Sequence, residues 1–360
     1  MSFIQLYIYA FVPMVSFLGF MSFIKGGDRF FIFNLLGVTT TTLLLLALRN
    51  PLAPYDSGNY MQMYNSLGQF SDVFYVYHGS VFFSLLQYCG KVIGFTFEQF
   101  SIFLSFICYC ATLIGFRLIT KSNKVFLMGL CLFSLGSTFV LLYTNTVRQG
   151  FALSLIILSS GFFIRKYNFL GYLALVLAVF SHFSALLVLL GFWVVRTFHL
   201  KNKHLLVVLI VMPLIPFFSQ YFISNFSVLG GVFQKIEKFS ASDYGNHLVY
   251  IKVASLYLSL LLFFFLGVSR GAFLNFEFRF IFNVYAMMVF VCVVFLPILL
   301  LSSRYLYYAS AFLPILYAFI FFQQPNLFGV NIRFFVGFGA ALLYGFFVYS
   351  FESTRTQLGG

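Results

Sequence analysis

Runs of about twenty apolar residues, each almost free of charge, recur along this chain and decide what it can fold into. A helix rises ~1.5 Å per residue, so such a run crosses a ~30 Å hydrocarbon core. Clear runs occupy residues 2–24, 30–48, 99–119, 125–143, 147–164, 204–222, 249–268, 280–301, 305–322 and 333–351. Composition agrees with that reading: 62% of residues are hydrophobic, 8% are charged, and Phe alone supplies 56. A soluble domain is about a quarter charged, and a soluble chain this apolar lacks the polar surface to cover its core. The expected fold is therefore all-α, a polytopic integral membrane helical bundle with roughly 10–13 membrane segments. Short loops elsewhere make residues 1–360 read as one polytopic membrane domain.

Charge orients the bundle. The 21 Lys and Arg against 8 Asp and Glu give a formal net charge of +13. In a soluble chain that balance raises the question of nucleic acid. Here the basic residues sit in short clusters between apolar runs, as cytoplasmic loops do, so no nucleic-acid partner is expected. The clusters are Lys25/Arg29, Arg117/Lys121/Lys124, Arg165/Lys166 and Arg196/Lys201/Lys203. All four fall on one side only if residues 168–195 form a short hairpin with its tip near Ser181-His182. That scheme leaves two longer external segments. Residues 49–98 carry a helix and a possible re-entrant helix over 76–95, and 223–248 form an external loop.

The N-terminal apolar run has no Lys or Arg before Lys25 and exceeds the ~7–15-residue core of a signal peptide, so it reads as a first membrane helix. The cysteines Cys89, Cys108, Cys110, Cys131 and Cys292 form no CxxC pair and suit packing rather than zinc or disulfides. No HExxH, DxD or phosphate-cradling GxxxxGK[ST] motif is present, so neither a metal nor another cofactor is expected.

Function in such a chain is sought where ionisable groups sit at unlikely depths, because a central Arg or Asp costs roughly 2.5–3.5 kcal/mol on insertion scales. Four places on the inferred outer side qualify. The first is Arg49-Asn50-Pro51 with Asp56, Tyr60 and Tyr64; the alternative is a polar loop in which Asp56 caps a helix and Arg49 snorkels. The second is Thr144-Asn145-Thr146-Val147-Arg148-Gln149, where an Arg at a helix N-terminus is at the wrong end for dipole stability and hints at an anionic ligand. The third is His182, flanked by Ser181 and Ser184; its alternative is a satisfied structural histidine. The fourth is Ser302-Ser303-Arg304-Tyr305, either a second anion contact or an interfacial aromatic belt. Lys235, Glu237, Lys238, Asp243 and His247 form a mixed cluster, a solvated loop or a lid.

Two blocks then resemble a known family. Ala47-Leu48-Arg49 followed by Asp56, Tyr60 and Tyr64, and Val147-Arg148-Gln149-Gly150-Phe151-Ala152-Leu153 followed by Arg165-Lys166 and Ser181-His182-Phe183-Ser184-Ala185-Leu186, resemble the EpsG-like polysaccharide polymerases. Arg304-Tyr305 is a further plausible match. Where family members often carry a Glu, this chain has Tyr77-His78-Gly79-Ser80, with Asp72 or His78 as a substitute. The resemblance also implies a relation to O-antigen (Wzy-type) polymerases, glycosyltransferases that join undecaprenyl-diphosphate-linked repeats on the outer face of the bacterial inner membrane.

It implies as partners a lipid-linked glycan donor and acceptor, the bilayer and a chain-length regulator. In that reading Arg148 stabilises the leaving diphosphate, and Asp56 and His182 compete for general base. Arg49, Tyr60, Tyr64, Gln149, Arg304 and Tyr305 contact substrate. The expected reaction is metal-independent direct displacement with inversion. The alternatives are a lipid-linked oligosaccharide flippase and a membrane glycan ligase or acyltransferase.

Overall fold

A computed structural model describes residues 11–21, 30–52, 56–76, 79–197, 202–225, 246–269 and 271–322. Every regular element among them is helical, as expected of a polytopic membrane bundle. Among the described residues six helices are long and apolar enough to cross a bilayer, and a bent pair makes a seventh if it counts as one span. Four shorter apolar helices accompany them. The membrane runs expected over 333–351 and much of 2–24 lie outside the described residues, as do Lys235, Glu237, Lys238, Asp243 and His78.

The chain divides into two compact units, one formed by Met1–Ala185 with Tyr317–Gly360 and the other by Leu186–Leu316. In the first unit, α1 (Val12–Met21) and α2 (Phe31–Leu48) pack together and against α6 (Asn123–Leu135). Two non-spanning helices follow α2: α3 (Ser57–Ser66) and α4 (Val81–Ile93). At ~1.5 Å per residue α4 is about 20 Å long, too short to cross, so length favours the re-entrant reading of 76–95. Gly94 ends it in the left-handed region, at φ 93°. Helix α5 (Phe97–Ile119) starts in a capping box: Thr96 Oγ1 accepts from the Gln99 amide and the Thr96 amide donates to Gln99 Oε1.

The expected single span over 125–143 is instead broken. Helix α6 stops at Leu135, the chain bends by 68°, and a π-helical turn at Leu141–Asn145 leads into α7 (Val147–Ile164). Helix α7 is the centre of this unit, with 83% of its residues buried, against 28% for α2. A helix apolar all round is one that neighbours surround. Helix α5 covers one side of it through small residues, since a Cβ on Gly161 would lie 2.8 Å from the Gly115 carbonyl oxygen. Helix α8 (Asn168–Ser181) covers another, and Ser159 Oγ donates to the Gly171 carbonyl at 2.8 Å.

Helix α8 ends at Ser181 and α9 (Ala185–Thr197) begins four residues later. The break falls where the hairpin reading places its tip. At fourteen and thirteen residues, each helix is about 20 Å long, short of a full crossing.

The second unit is built from most of α9, then α10 (Asn202–Val211), α11 (Ile215–Asn225), α12 (Asn246–Ser269), α13 (Phe276–Val294), α14 (Leu299–Ser310) and the start of α15 (Leu313–Phe322). Pro213 interrupts the run expected over 204–222 with a 3-10 turn at Met212–Leu214, because proline lacks the amide a continuous helix needs. Helices α12, α13 and α14 pack on one another. Their core is a ring cluster, with Phe273 edge-on to Phe282 at 5.0 Å and to Phe278 at 5.4 Å between centroids.

Candidate functional site

The polar residues of the first unit gather around the π turn. A π turn interrupts the regular helical ladder, which frees carbonyl groups and recurs at functional positions. Here the Tyr143 carbonyl accepts from Arg49 Nη1 at 2.9 Å and from Ser105 Oγ at 2.7 Å. Arg49 Nη2 donates to the Ser101 carbonyl, Ser101 Oγ and Ser105 Oγ at 2.8–3.0 Å. The guanidinium is buried and only its Nε lacks a partner. Sequence reading takes Arg49 as a substrate contact. What the structure shows is a brace tying the end of α2 to α5 and to the π turn.

Gly150 holds the turn against the helix that follows. A Cβ there would collide with the Leu142 carbonyl oxygen and lie 2.7 Å from its carbon, both of them backbone atoms. The turn's last residue, Asn145, accepts the Asp56 amide on Oδ1 at 3.1 Å. Asp56 precedes α3, but its side chain makes no cap bond there. Its carboxyl is held above the usual aspartate range by burial, and the Arg148 charge pulls it partly back down.

Arg148 stands in the first turn of α7, half-buried, with Nη1 3.5 Å from Ser80 Oγ. Thr146, the residue before α7, makes no side-chain cap bond to that helix. Ser80 follows Gly79, whose φ is +79°, and a Cβ on Gly79 would lie 4.0 Å from Phe183 Cβ. That contact brings the His182 turn to the same corner, and α8 packs on α4. Asp56, Arg148 and the His182 turn are therefore assembled by tertiary contacts, although they are far apart in sequence.

His182 is buried. The Ser184 amide donates to Nδ1 at 3.3 Å, and Ser184 Oγ lies 2.5 Å from the same nitrogen. A main-chain amide can only donate, so Nδ1 is the acceptor and the neutral ring carries its proton on Nε2. Sequence reading leaves the imidazole open as a base or a structural group. The geometry makes it a hydrogen-bond donor at Nε2.

The other expected residues are spread more widely. Tyr60 lines a cleft with Ser57 and Phe83 beside Asn145. Tyr64 is buried, and its hydroxyl donates to the Phe95 carbonyl at 2.8 Å. Gln149 is buried in α7. Asp72, considered as a substitute acid, accepts the amides of Gly68 and Gln69 at 2.7 Å each. Arg304 and Tyr305 belong to the second unit, where Tyr305 is buried and stacked with Phe295 at 6.1 Å. Sequence reasoning missed Ser101, Ser105, Ser80 and Gln87. The first two carried a signal, since they lie four residues apart on an otherwise apolar helix and so share a face. Among the described residues no three His, Cys, Asp or Glu side chains are grouped to hold a metal ion.

A model of the EpsG family matches residues 31–357, nearly the whole chain. The chain belongs to the EpsG family. Membership makes this EpsG protein a polysaccharide polymerase-like, multi-pass membrane protein. No curated protein and no solved structure matches it. The match covers both units of the EpsG chain, and therefore the braced corner in the first as well as Arg304-Tyr305 in the second.

Proposed function

We propose that this EpsG-family protein is a membrane glycosyltransferase that joins undecaprenyl-diphosphate-linked oligosaccharide repeats into a polysaccharide on the outer face of the bacterial inner membrane. The observation that carries the reading is the partly buried Asp56 in the field of Arg148 in the first turn of the central helix. Such a pair suits a reaction in which a proton leaves a hydroxyl while negative charge develops on a diphosphate.

The acceptor hydroxyl oxygen attacks the anomeric carbon of the donor glycan, and the bond from that carbon to the diphosphate oxygen breaks. Asp56 takes the hydroxyl proton. Its raised affinity for protons makes it a better base near neutral pH than an ordinary aspartate. The leaving diphosphate carries its new charge to Arg148, whose rigid fork pairs with two phosphate oxygens, and to the first amides of α7. Of the two base candidates this assignment takes Asp56, because the Ser184 amide already occupies Nδ1 of His182. A preorganised set of donors of this kind stabilises charge without reorganising during the reaction. Direct displacement inverts the anomeric configuration and leaves no sugar bound to the enzyme. The positive-inside clusters support placing the Asp56–Arg148 corner on the outer face.

The test uses the purified full-length protein in nanodiscs with a lipid-diphosphate-linked repeat, in the presence of chelator, beside Arg148→Ala. A ladder of longer glycans that survives chelation and disappears in the variant is expected. Substrate that stays unextended but moves across a sealed bilayer would make the protein a transporter and end the polymerase reading.

A further inference from the structure

Among the described residues of the first unit, Gln87 and Asn34 are buried carboxamides with both polar atoms unpartnered, and Gln87 is the one beside the Asn145 cavity. It sits in α4 with 1% of its surface exposed, and neither its Oε1 nor its Nε2 has a hydrogen-bond partner. An unpaired buried carboxamide is unfavourable, and native proteins rarely keep one without a use. Gln87 lines a small cavity with Ser57, Tyr60, Phe83, Phe97, Ser101 and Asn145, with room for about one water-sized group. Among the described residues no charged side chain lines it, although Ser101 is bonded to the Arg49 guanidinium. The rings of Tyr60 and Phe83 stand 6.1 Å apart on its wall. Asn145 joins this cleft to the reaction corner, because the same side chain accepts the Asp56 amide.

These properties specify a ligand. A carboxamide offers one acceptor and two donors, so it pairs best with a group that both donates and accepts. An uncharged lining disfavours a carboxylate or phosphate, which would be desolvated there without a counter-charge. We propose that Gln87 is a specificity-determining residue that reads one hydroxyl group, a substituent about the size of a water, on the sugar next to the reacting centre. This rests on the glycosyltransferase reading above and adds which part of the substrate the cleft recognises.

A water-filled or purely structural role makes the opposite prediction for the free protein. If the amide is unpaired until substrate arrives, Gln87→Leu removes an unmet demand and the detergent-solubilised protein melts at the same temperature or higher. Its KM for lipid-linked repeat extracted from the source cells rises about ten-fold or more, while kcat stays within about three-fold. Gln87→Met, unbranched and close in volume, serves as the second variant and behaves alike. Arg148→Ala is run in parallel, where kcat falls instead. An unchanged KM in both Gln87 variants overturns the inference, as does a melting point lowered by several degrees in both. If the parent elongates and Arg148→Ala does not, the polymerase reading survives either of those results. A well-folded parent that elongates nothing ends both proposals together.

Discussion

The two units bury different things. In the first, the interior holds Arg49, Gln87, Asn145, Gln149 and His182 together with a run of serines and threonines. In the second, among the described residues, only Asn283 and Ser302 are buried polar side chains, and phenylalanine rings fill the rest. Lipid tails are as apolar as Leu or Phe, so a hydrocarbon core gives helices little reason to choose one partner geometry over another. A bonded polar group does, because separating it from its partner strands donors and acceptors away from water. The contrast therefore marks the first unit as the one whose geometry is fixed tightly, which is what a reaction corner requires. In the second unit, tyrosine hydroxyls tie helices together instead: Tyr285 Oη donates to the Leu256 carbonyl at 2.9 Å and Tyr257 Oη to the Leu209 carbonyl at 2.8 Å.

The largest effect is expected at the corner itself. Arg148→Ala should lower kcat about 10²–10³-fold, the range for removing one preorganised charge-stabilising donor, with the melting temperature unchanged. Arg304→Ala in the second unit should act mainly through KM. Equal losses in kcat from the two would erase the distinction between the units.

Next comes the brace. Arg49→Ala removes one of the two donors to the Tyr143 carbonyl, while Ser101 and Ser105 lose the guanidinium donor, and should destabilise the protein by about 2–4 kcal/mol in a denaturant titration. Arg49→Lys should recover part of that, since one ammonium cannot reproduce the fork.

Glycines give a matched pair. Gly150→Ala meets backbone of the π turn and should cost about 1–3 kcal/mol and much of the activity. Gly191→Ala, in the second unit, meets the flexible Met287 side chain, with Cγ 2.7 Å away, and should cost less than about 1 kcal/mol. A reversed order, read from melting curves, would show that the second unit is the more tightly specified.

The pH profile sharpens the picture at the site. Burial raises the Asp56 pKa and Arg148 opposes the rise, so the acidic limb of kcat/KM should lie above the range of an ordinary aspartate. Activity should fall as pH drops through it, because protonated Asp56 cannot accept the hydroxyl proton. Replacing Arg148 with Gln removes the opposing charge and should move the limb of any residual activity to higher pH. The smallest effect is expected for Asn283→Leu. Its Oδ1 is buried without a partner, so the change should be neutral or slightly stabilising.

Much of the site was readable along the chain, for a simple reason. Asp56, Arg148 and His182 are ionisable groups in a sequence that otherwise avoids them, and each sits at an edge or break of an apolar run. The break at Ser181-His182 was readable from length and loop charge. Arg49 was equally conspicuous, yet its role was not, because whether a buried guanidinium faces a ligand or its own backbone depends on a carbonyl 94 residues away. Gln87 gave no signal, since an isolated Gln in an amphipathic helix reads as an ordinary polar position.

The sequence by itself determined that this chain is a multi-pass helical membrane protein and which ionisable residues break its apolar pattern, because hydropathy and charge are local properties and the bilayer reads them one segment at a time. Only the tertiary structure decided that the run before Arg148 turns through a π bulge, that Arg49 braces it, that His182 presents Nε2 as a donor and that Gln87 is left unpaired beside a cleft. Those outcomes depend on which carbonyls and amides meet across helices. A hydrogen bond has no partner until the chain has folded around it.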